Sequence, residues 1–314
     1  MRVAQQCTGT SRTLAPGGDM TGSEHDAEGR LDVRRALHFG DHEEAVHFKE
    51  ARAMTVTIND LKAWKAQGRR WVMLTAYDFP TAQILDTAGV PVLLVGDSLG
   101  RNVLGYDNEL PVTMDEMLHH VKAVTRGAGH AMVVGDMPFM SYQASLEDGV
   151  RNAGRLIKEG GAQAVKLEGP QLDLVHRLVE IGIPVMAHVG LTPQSVYGLG
   201  GYRVQGRGEA AHKVAEQAQQ LEKAGAFAIV LEAMPSELAS DITGELQIPT
   251  IGIGAGASTD AQVLVINDLL GLTEKPPKLA KAYADLRGAI TGAVQAFNDD
   301  VASGSFPDKD HSYS

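Results

Sequence analysis

From Met54 onward the chain alternates short apolar runs with longer stretches carrying an apolar stripe at helical spacing. The runs are WVMLTAY (71–77), PVLLVGDS (91–98), AMVVGDM (131–137), AQAVKLEG (162–169), IPVMAHVG (183–190), FAIVLEA (227–233), IPTIGIGAG (248–256) and VLVINDLLG (263–271). Runs that are apolar on both faces read as strands buried on both sides. Between them, TMDEMLHHVKAVTRGAG and EAAHKVAEQAQQLEKAGA are amphipathic and close on Gly, as helices do. TINDLKAWKAQGRR has apolar Leu61, Ala63 and Trp64 near helical spacing, and Thr57 with Asp60 resembles a capping box. The tail KLAKAYADLRGAITGAVQAFNDDV reads as a last, long helix.

Strands alternating with helices imply parallel βαβ units. Eight of them in the ~260 residues after Met54 suit an α/β fold of the (β/α)8 barrel kind, which takes ~250 residues. An open doubly wound sheet is the runner-up. One irregularity stands out: the link from the seventh strand to the eighth, around Ala257–Gln262, is too short for a full helix. Residues 54–314 therefore read as a single barrel domain. Residues 1–53 are polar and aperiodic until about Leu31, and read as a disordered extension.

Four runs deliver a carboxylate at the same end: Asp97, Asp136, Glu168 and Glu232, on strands 2, 3, 4 and 6. In a barrel that end is where the βα loops converge on the active site. Crowded carboxylates raise one another's pKa unless a positive charge sits among them. A hard divalent cation, Mg²⁺ foremost, is the economical solution because it takes oxygen ligands. Lys166, two residues before Glu168, points to the same side of its strand and adds a second positive charge. His188, ending AHVG, is either a core histidine or a donor to substrate. Ser98 either caps the next loop or lies beside the metal. The GIGAG stretch (252–256) ends strand 7, where many barrels bind phosphate. It opens no G-x-G-x-x-G helix, so it is no dinucleotide fingerprint.

Charge narrows the partners. The 28 Lys and Arg stand against 39 Asp and Glu, a net charge of −11, which disfavours nucleic acid and anionic membrane. The single cysteine, Cys7, leaves no disulfide framework and no Cys-based zinc site, which fits a reducing cytoplasm. No apolar run approaches the ~18–20 residues that span a bilayer. The first twenty residues lack the apolar stretch of a signal peptide, and nine acidic against seven basic residues in 1–53 argue against a transit peptide. His25, His38, His42 and His47 are irregularly spaced in a polar tail, and read as solvated rather than metal-binding.

With these residues assembled, the sequence resembles the ketopantoate hydroxymethyltransferase family (3-methyl-2-oxobutanoate hydroxymethyltransferases) from about Thr55 to the C-terminus. The resemblance is carried by LTAYDFPTAQILDTAG, LLVGDSLG, GDMPFMSY, AVKLEG, PVMAHVGLTPQSV, GYRVQGR, IVLEAMP and IPTIGIGAG. It implies a TIM barrel of the phosphoenolpyruvate/pyruvate type and a homo-oligomer, often a decamer. It implies Mg²⁺ and the co-substrate 5,10-methylenetetrahydrofolate, with 3-methyl-2-oxobutanoate converted to 2-dehydropantoate, in pantothenate synthesis, through a Mg-stabilised enolate. Carried over residue by residue, the metal-associated acids fall on Asp97, Asp136 and Glu168, and the proton acceptor on Glu232. The substrate contacts fall on Ser98 and Lys166 together with Asp97 and Asp136. The departure is the N-terminus, since members usually begin near Met54.

Three rivals share parts of this reading. A Mg-dependent C–C lyase or phosphomutase of the isocitrate lyase type has the same barrel, but commonly places a reactive Cys on a mobile loop. A phosphate-binding barrel isomerase resting on GIGAG leaves Asp97, Asp136 and Glu168 unexplained. A barrel kept as a scaffold does not need so many polar residues at the strand ends.

Overall fold

The computed structural model describes residues 55–313. The extension expected at 1–53, with its four histidines and Cys7, lies outside the described residues. Eight parallel strands close into a barrel in chain order. They are β1 (Trp71–Thr75), β2 (Val92–Val95), β3 (Met132–Asp136), β4 (Ala164–Lys166), β5 (Val185–Gly190), β6 (Ala228–Glu232), β7 (Thr250–Ile253) and β8 (Ala261–Leu264). The closing β1–β8 ladder runs from Trp71 opposite Ala261 to Leu74 opposite Leu264, which excludes the open sheet.

Alternate residues of each strand serve two cores. Met73, Val92, Leu94, Met132, Val134, Ala164, Met186, Ala228, Val230, Ile251 and Val263 fill the barrel interior. Leu93, Val95, Val133, Val165, Ala187, Val189, Ile229 and Leu231 face the surrounding helices. Both faces are largely buried, Val72 of β1 and Gln262 of β8 excepted, which is why the strands read as apolar runs. Helix α1 (Ile58–Ala66) begins with the expected capping box, Thr57 and Asp60 bonding reciprocally. It sets Leu61 into the interior cluster, and its Lys65 pairs with Asp260 at 2.8 Å. Asp260 also takes the Thr250 N–H at 2.8 Å, so the short β7–β8 link is pinned without a helix.

Helices α2 (Phe79–Thr87), α3 (Leu99–Asn102), α4 (Met114–Gly127), α5 (Leu146–Lys158), α6 (Leu172–Glu180), α7 (Ala210–Lys223) and α8 (Ser236–Glu245) follow their strands in turn. Two expectations need correction. The run VLVINDLLG is strand only to Leu264; Ile266–Leu269 forms a short helix, α9. Its first free N–H, on Ile266, is taken by Thr75 Oγ1 at 2.9 Å. The terminal helix α10 is Leu286–Ser303, and 278–285 are not helical. There the backbone is held instead by α9, Tyr283 N–H donating to the Leu269 carbonyl and Leu286 N–H to that of Leu270. None of the residues of α10 is buried. Among the described residues no helix is long and apolar enough to cross a membrane.

Candidate active site

The period of two along a strand places the chemistry. Lys166 follows Ala164 on the inward register of β4, and Glu168 lies one further step along. Asp136 follows Val134 on β3, His188 follows Met186 on β5, and Glu232 follows Val230 on β6. Asp97 lies two residues past the end of β2, and turns its backbone N–H onto Asp136 Oδ2 at 3.2 Å. Asp97, Ser98, Asp136, Lys166, Glu168, His188 and Glu232 all line one cavity of about 670 Å³ at the C-terminal mouth of the barrel. Every residue expected at the site is thus brought together there.

Lys166 Nζ donates to both oxygens of Asp136, at 2.8 and 2.7 Å, and stands 3.7 Å from Glu168. His188 faces Glu168 at 3.5 Å through Nδ1 and Glu232 at 3.2 Å through Nε2. Neither ring nitrogen makes a well-aligned hydrogen bond, so these contacts are ionic. Ser98 makes no capping bond at α3; its hydroxyl pairs with that of Tyr77 at 3.0 Å.

The electrostatics follow from burial. Desolvation, then the charges of Asp136 and Glu168, hold the Asp97 carboxyl well above its ordinary range. Burial also outweighs the Lys166 charge at Asp136, whose pKa is raised. At Glu168 burial is outweighed by His188 and Lys166, and its pKa is lowered. Burial would lower Lys166, but Asp136, Glu168 and Asp97 together push it up. Burial would lower His188 too, yet its two carboxylates lift it to about 9.

Four carboxylates therefore face two cations, Lys166 and His188. The imbalance is of the size a divalent cation offsets, and the donors are hard oxygens. Among the described residues no three His, Cys, Asp or Glu side chains form a ready-made metal cage. Mg²⁺ seldom uses one: it takes one or two carboxylates and completes its shell with water and substrate oxygens. Asp97, Asp136 and Glu168 fit that pattern by charge and donor type.

Several participants escaped sequence reading. Gln194, in a single 3-10 turn (Pro193–Ser195) after β5, donates from Nε2 to Asp97 Oδ2 at 2.8 Å and to the Met137 carbonyl at 2.9 Å. Its backbone N–H donates to Glu168 Oε2 at 3.0 Å. Tyr142 donates to Gln194 Oε1 at 2.7 Å and accepts the Glu168 N–H at 3.0 Å. Their only signal was membership of GDMPFMSY and PVMAHVGLTPQSV, in stretches past the strand ends that have no periodicity. Just past Glu232, Ala233 has φ 46, a left-handed conformation uncommon for a residue with a Cβ. Gly190 at the end of β5 has φ 97, and a Cβ there would meet the Glu232 carbonyl at 2.2 Å. Only glycine lets β5 and β6 approach closely enough to set His188 against Glu232.

Comparison with known proteins bears on this geometry. The family model described as ketopantoate hydroxymethyltransferase matches residues 55–309. The 3-methyl-2-oxobutanoate hydroxymethyltransferase of Syntrophus aciditrophicus (strain SB) is 54% identical over 268 residues, covering 84% of this chain and 98% of the relative. Among solved structures, 2,3-dimethylmalate lyase, a PEP mutase/isocitrate lyase superfamily member, aligns with TM-score 0.53 at 14% identity, covering 82% of this chain and 93% of that one. Phosphonopyruvate hydrolase in complex with oxalate and Mg²⁺ aligns with TM-score 0.52 at 12% identity, covering 82% and 93%. At such identities the likeness is one of barrel architecture.

Proposed function

The chain belongs to the ketopantoate hydroxymethyltransferase family and is a transferase enzyme; from that premise we propose that it moves a hydroxymethyl group from 5,10-methylenetetrahydrofolate to 3-methyl-2-oxobutanoate. The product is 2-dehydropantoate, an intermediate of pantothenate synthesis. Asp97, Asp136 and Glu168 would hold Mg²⁺, the ion named with the phosphonopyruvate hydrolase of the same fold. Bound there, the ion supplies Lewis-acid charge to the paired oxygens of the ketoacid.

The chain's own residues do the rest. Thr75, Leu94, Val230, Ile253 and Val263 line the cavity and offer its small, mostly apolar wall to the branched methyl groups. Ser98 and His188 offer donors to the substrate's oxygens. Glu232 takes the C3 proton as general base, and it is the most open of the four acids, its side chain 17% exposed. Lys166, fixed by two bonds to Asp136, presents a positive charge where the enolate's negative charge develops. The enolate carbon then bonds the one-carbon unit as one of that unit's two C–N bonds breaks; water supplies the hydroxyl as the second C–N bond breaks, and the C3 proton and one water proton end on the two folate nitrogens, releasing tetrahydrofolate.

One observation carries this reading: a base on β6 and an oxygen-donor cluster on β2–β4 share a single buried histidine, His188, between Glu168 and Glu232. The test is an assay of ketoacid with methylenetetrahydrofolate and Mg²⁺, with and without EDTA, read by product mass. Formation of 2-dehydropantoate that EDTA abolishes is expected. Folate-independent cleavage of the ketoacid would favour the lyase reading instead. We further propose a homo-oligomer, supported by the apolar stripe Ile290, Val294, Phe297 and Val301 that α10 leaves half exposed.

A further inference from the structure

The cavity is far larger than the small ketoacid needs; about 670 Å³ sits within the ~300–1,000 Å³ that takes drug-sized ligands. Its lining includes Glu109, from the loop between α3 and α4, with Arg101 of α3 and Tyr202 of the β5–α7 loop. None of these three belongs to the acid cluster around Lys166. Glu109 is only 5% exposed, while Arg101 and Tyr202 are about half exposed. Glu109 Oε2 accepts from the Tyr202 hydroxyl at 2.7 Å. Among the described residues Oε1 meets only the Arg101 guanidinium, at 3.8 Å, which is an ionic contact and no hydrogen bond. That guanidinium also lies 5.5 Å from the Tyr202 ring centre.

A carboxylate offers about four lone-pair sites, and Tyr202 occupies one. A buried carboxylate with spare acceptors, opening into a cavity, calls for a ligand that donates to it. The half-exposed ring of Tyr202 and the planar guanidinium of Arg101 add flat faces suited to stacking. Burial raises the Glu109 pKa, opposed by the Tyr202 bond and the Arg101 charge, so a donor pair would favour its charged form.

We propose that Glu109, Tyr202 and Arg101 recognise the flat ring of the one-carbon donor, Glu109 accepting from its lactam N–H and the adjacent exocyclic amine. This rests on the hydroxymethyl-transfer reading above. A reduced pterin presents those two donors side by side on its planar pyrimidinone ring, which matches the two oxygens of a carboxylate. The ketoacid has no N–H and would not use the site. Tyr202 lies in a loop with Gly198, Gly200, Gly201, Gly206 and Gly208, four of them at positive φ, so its backbone is built for a path that side chains resist.

The test uses Glu109→Gln and Tyr202→Phe in the full chain with Mg²⁺. Two quantities are read: tetrahydrofolate affinity by calorimetry, and exchange of the ketoacid C3 hydrogen with D2O in the absence of folate. Glu109→Gln is expected to weaken tetrahydrofolate binding at least tenfold, with C3 exchange within about twofold of the parent. Tyr202→Phe should weaken it less and also spare exchange. Unchanged tetrahydrofolate affinity in both variants overturns the proposal. So does a parallel loss of exchange and affinity, which would make the three residues a latch shaping the whole cavity. Failure of the hydroxymethyl-transfer reading shows separately, in the unsubstituted chain, as no tetrahydrofolate binding and no transfer.

Discussion

Gln194 and Asp97, remote in the chain, meet at the barrel mouth, the amide nitrogen of one donating to a carboxylate oxygen of the other at 2.8 Å. The same amide group reaches the Met137 carbonyl and accepts from Tyr142, so one side chain ties the loops after β2, β3 and β5 together. Gln194→Ala would leave Asp97 buried without its donor, at a cost of about 1.5–3 kcal/mol for a hydrogen bond to a charged group. A lower Tm and at least a tenfold fall in kcat/KM for the ketoacid are expected. A variant with parental Tm and kcat/KM would show that the bond does not organise the site.

Burial and the charges of Asp136 and Glu168 hold the Asp97 carboxyl well above its ordinary range. Its folded pKa lies above the ordinary 3.8, so in metal-free protein it costs stability as pH rises from the acid range toward neutrality. Asp97→Asn removes that charge. Thermal unfolding in EDTA at pH 7.5 should therefore show a higher Tm for the variant than for the parent. Added Mg²⁺ should raise the Tm of the parent and leave that of Asp97→Asn nearly unchanged. Equal Mg²⁺ responses would remove Asp97 from the ion's ligands.

His188 makes the opposite contribution. Its folded pKa, about 9, stands above the ordinary 6.5. Its pairing with Glu168 and Glu232 stabilises fully below pH 6.5, and the contribution is lost as pH rises through 9. The shift corresponds to something on the order of 3 kcal/mol. Denaturant unfolding in EDTA at pH 6.5 and pH 9.5 should show the parent losing more stability over that interval than His188→Gln. Parallel losses would mean that His188 is not the group that titrates.

The apolar stripe of α10 recurs at Ile290, Val294, Phe297 and Val301, three or four residues apart along one helix face. A helix with no buried residue and such a face is expected to be covered in an oligomer. Val294→Asp with Phe297→Asp should reduce the molar mass measured by light scattering toward that of one chain. A parental mass in this double variant would remove α10 from the subunit contact.

Much of this architecture was legible in the chain because parallel strands buried on both faces leave unbroken apolar runs. Their period of two then carried Lys166, Glu168, His188 and Glu232 to one wall. The run VLVINDLLG misled for the same reason: a short apolar segment reads alike as strand or buried helix. Only a tertiary bond, Ile266 N–H to Thr75, marks where strand gives way to α9. Gln194, Tyr142, Glu109 and Tyr202 sit in loops, where no periodicity reports which way a side chain points. The start of α10 depended on bonds from 283 and 286 back to α9, which local propensity does not encode.

The proposal that Glu232 removes the C3 proton is tested most directly by following the ketoacid's C3 hydrogen in D2O by proton NMR, with Mg²⁺ and without folate. The parent chain should exchange that hydrogen. Glu232→Gln should slow the exchange by about 10²–10⁴-fold while ketoacid binding stays within a few-fold. Exchange at the parental rate in Glu232→Gln would contradict a base on β6.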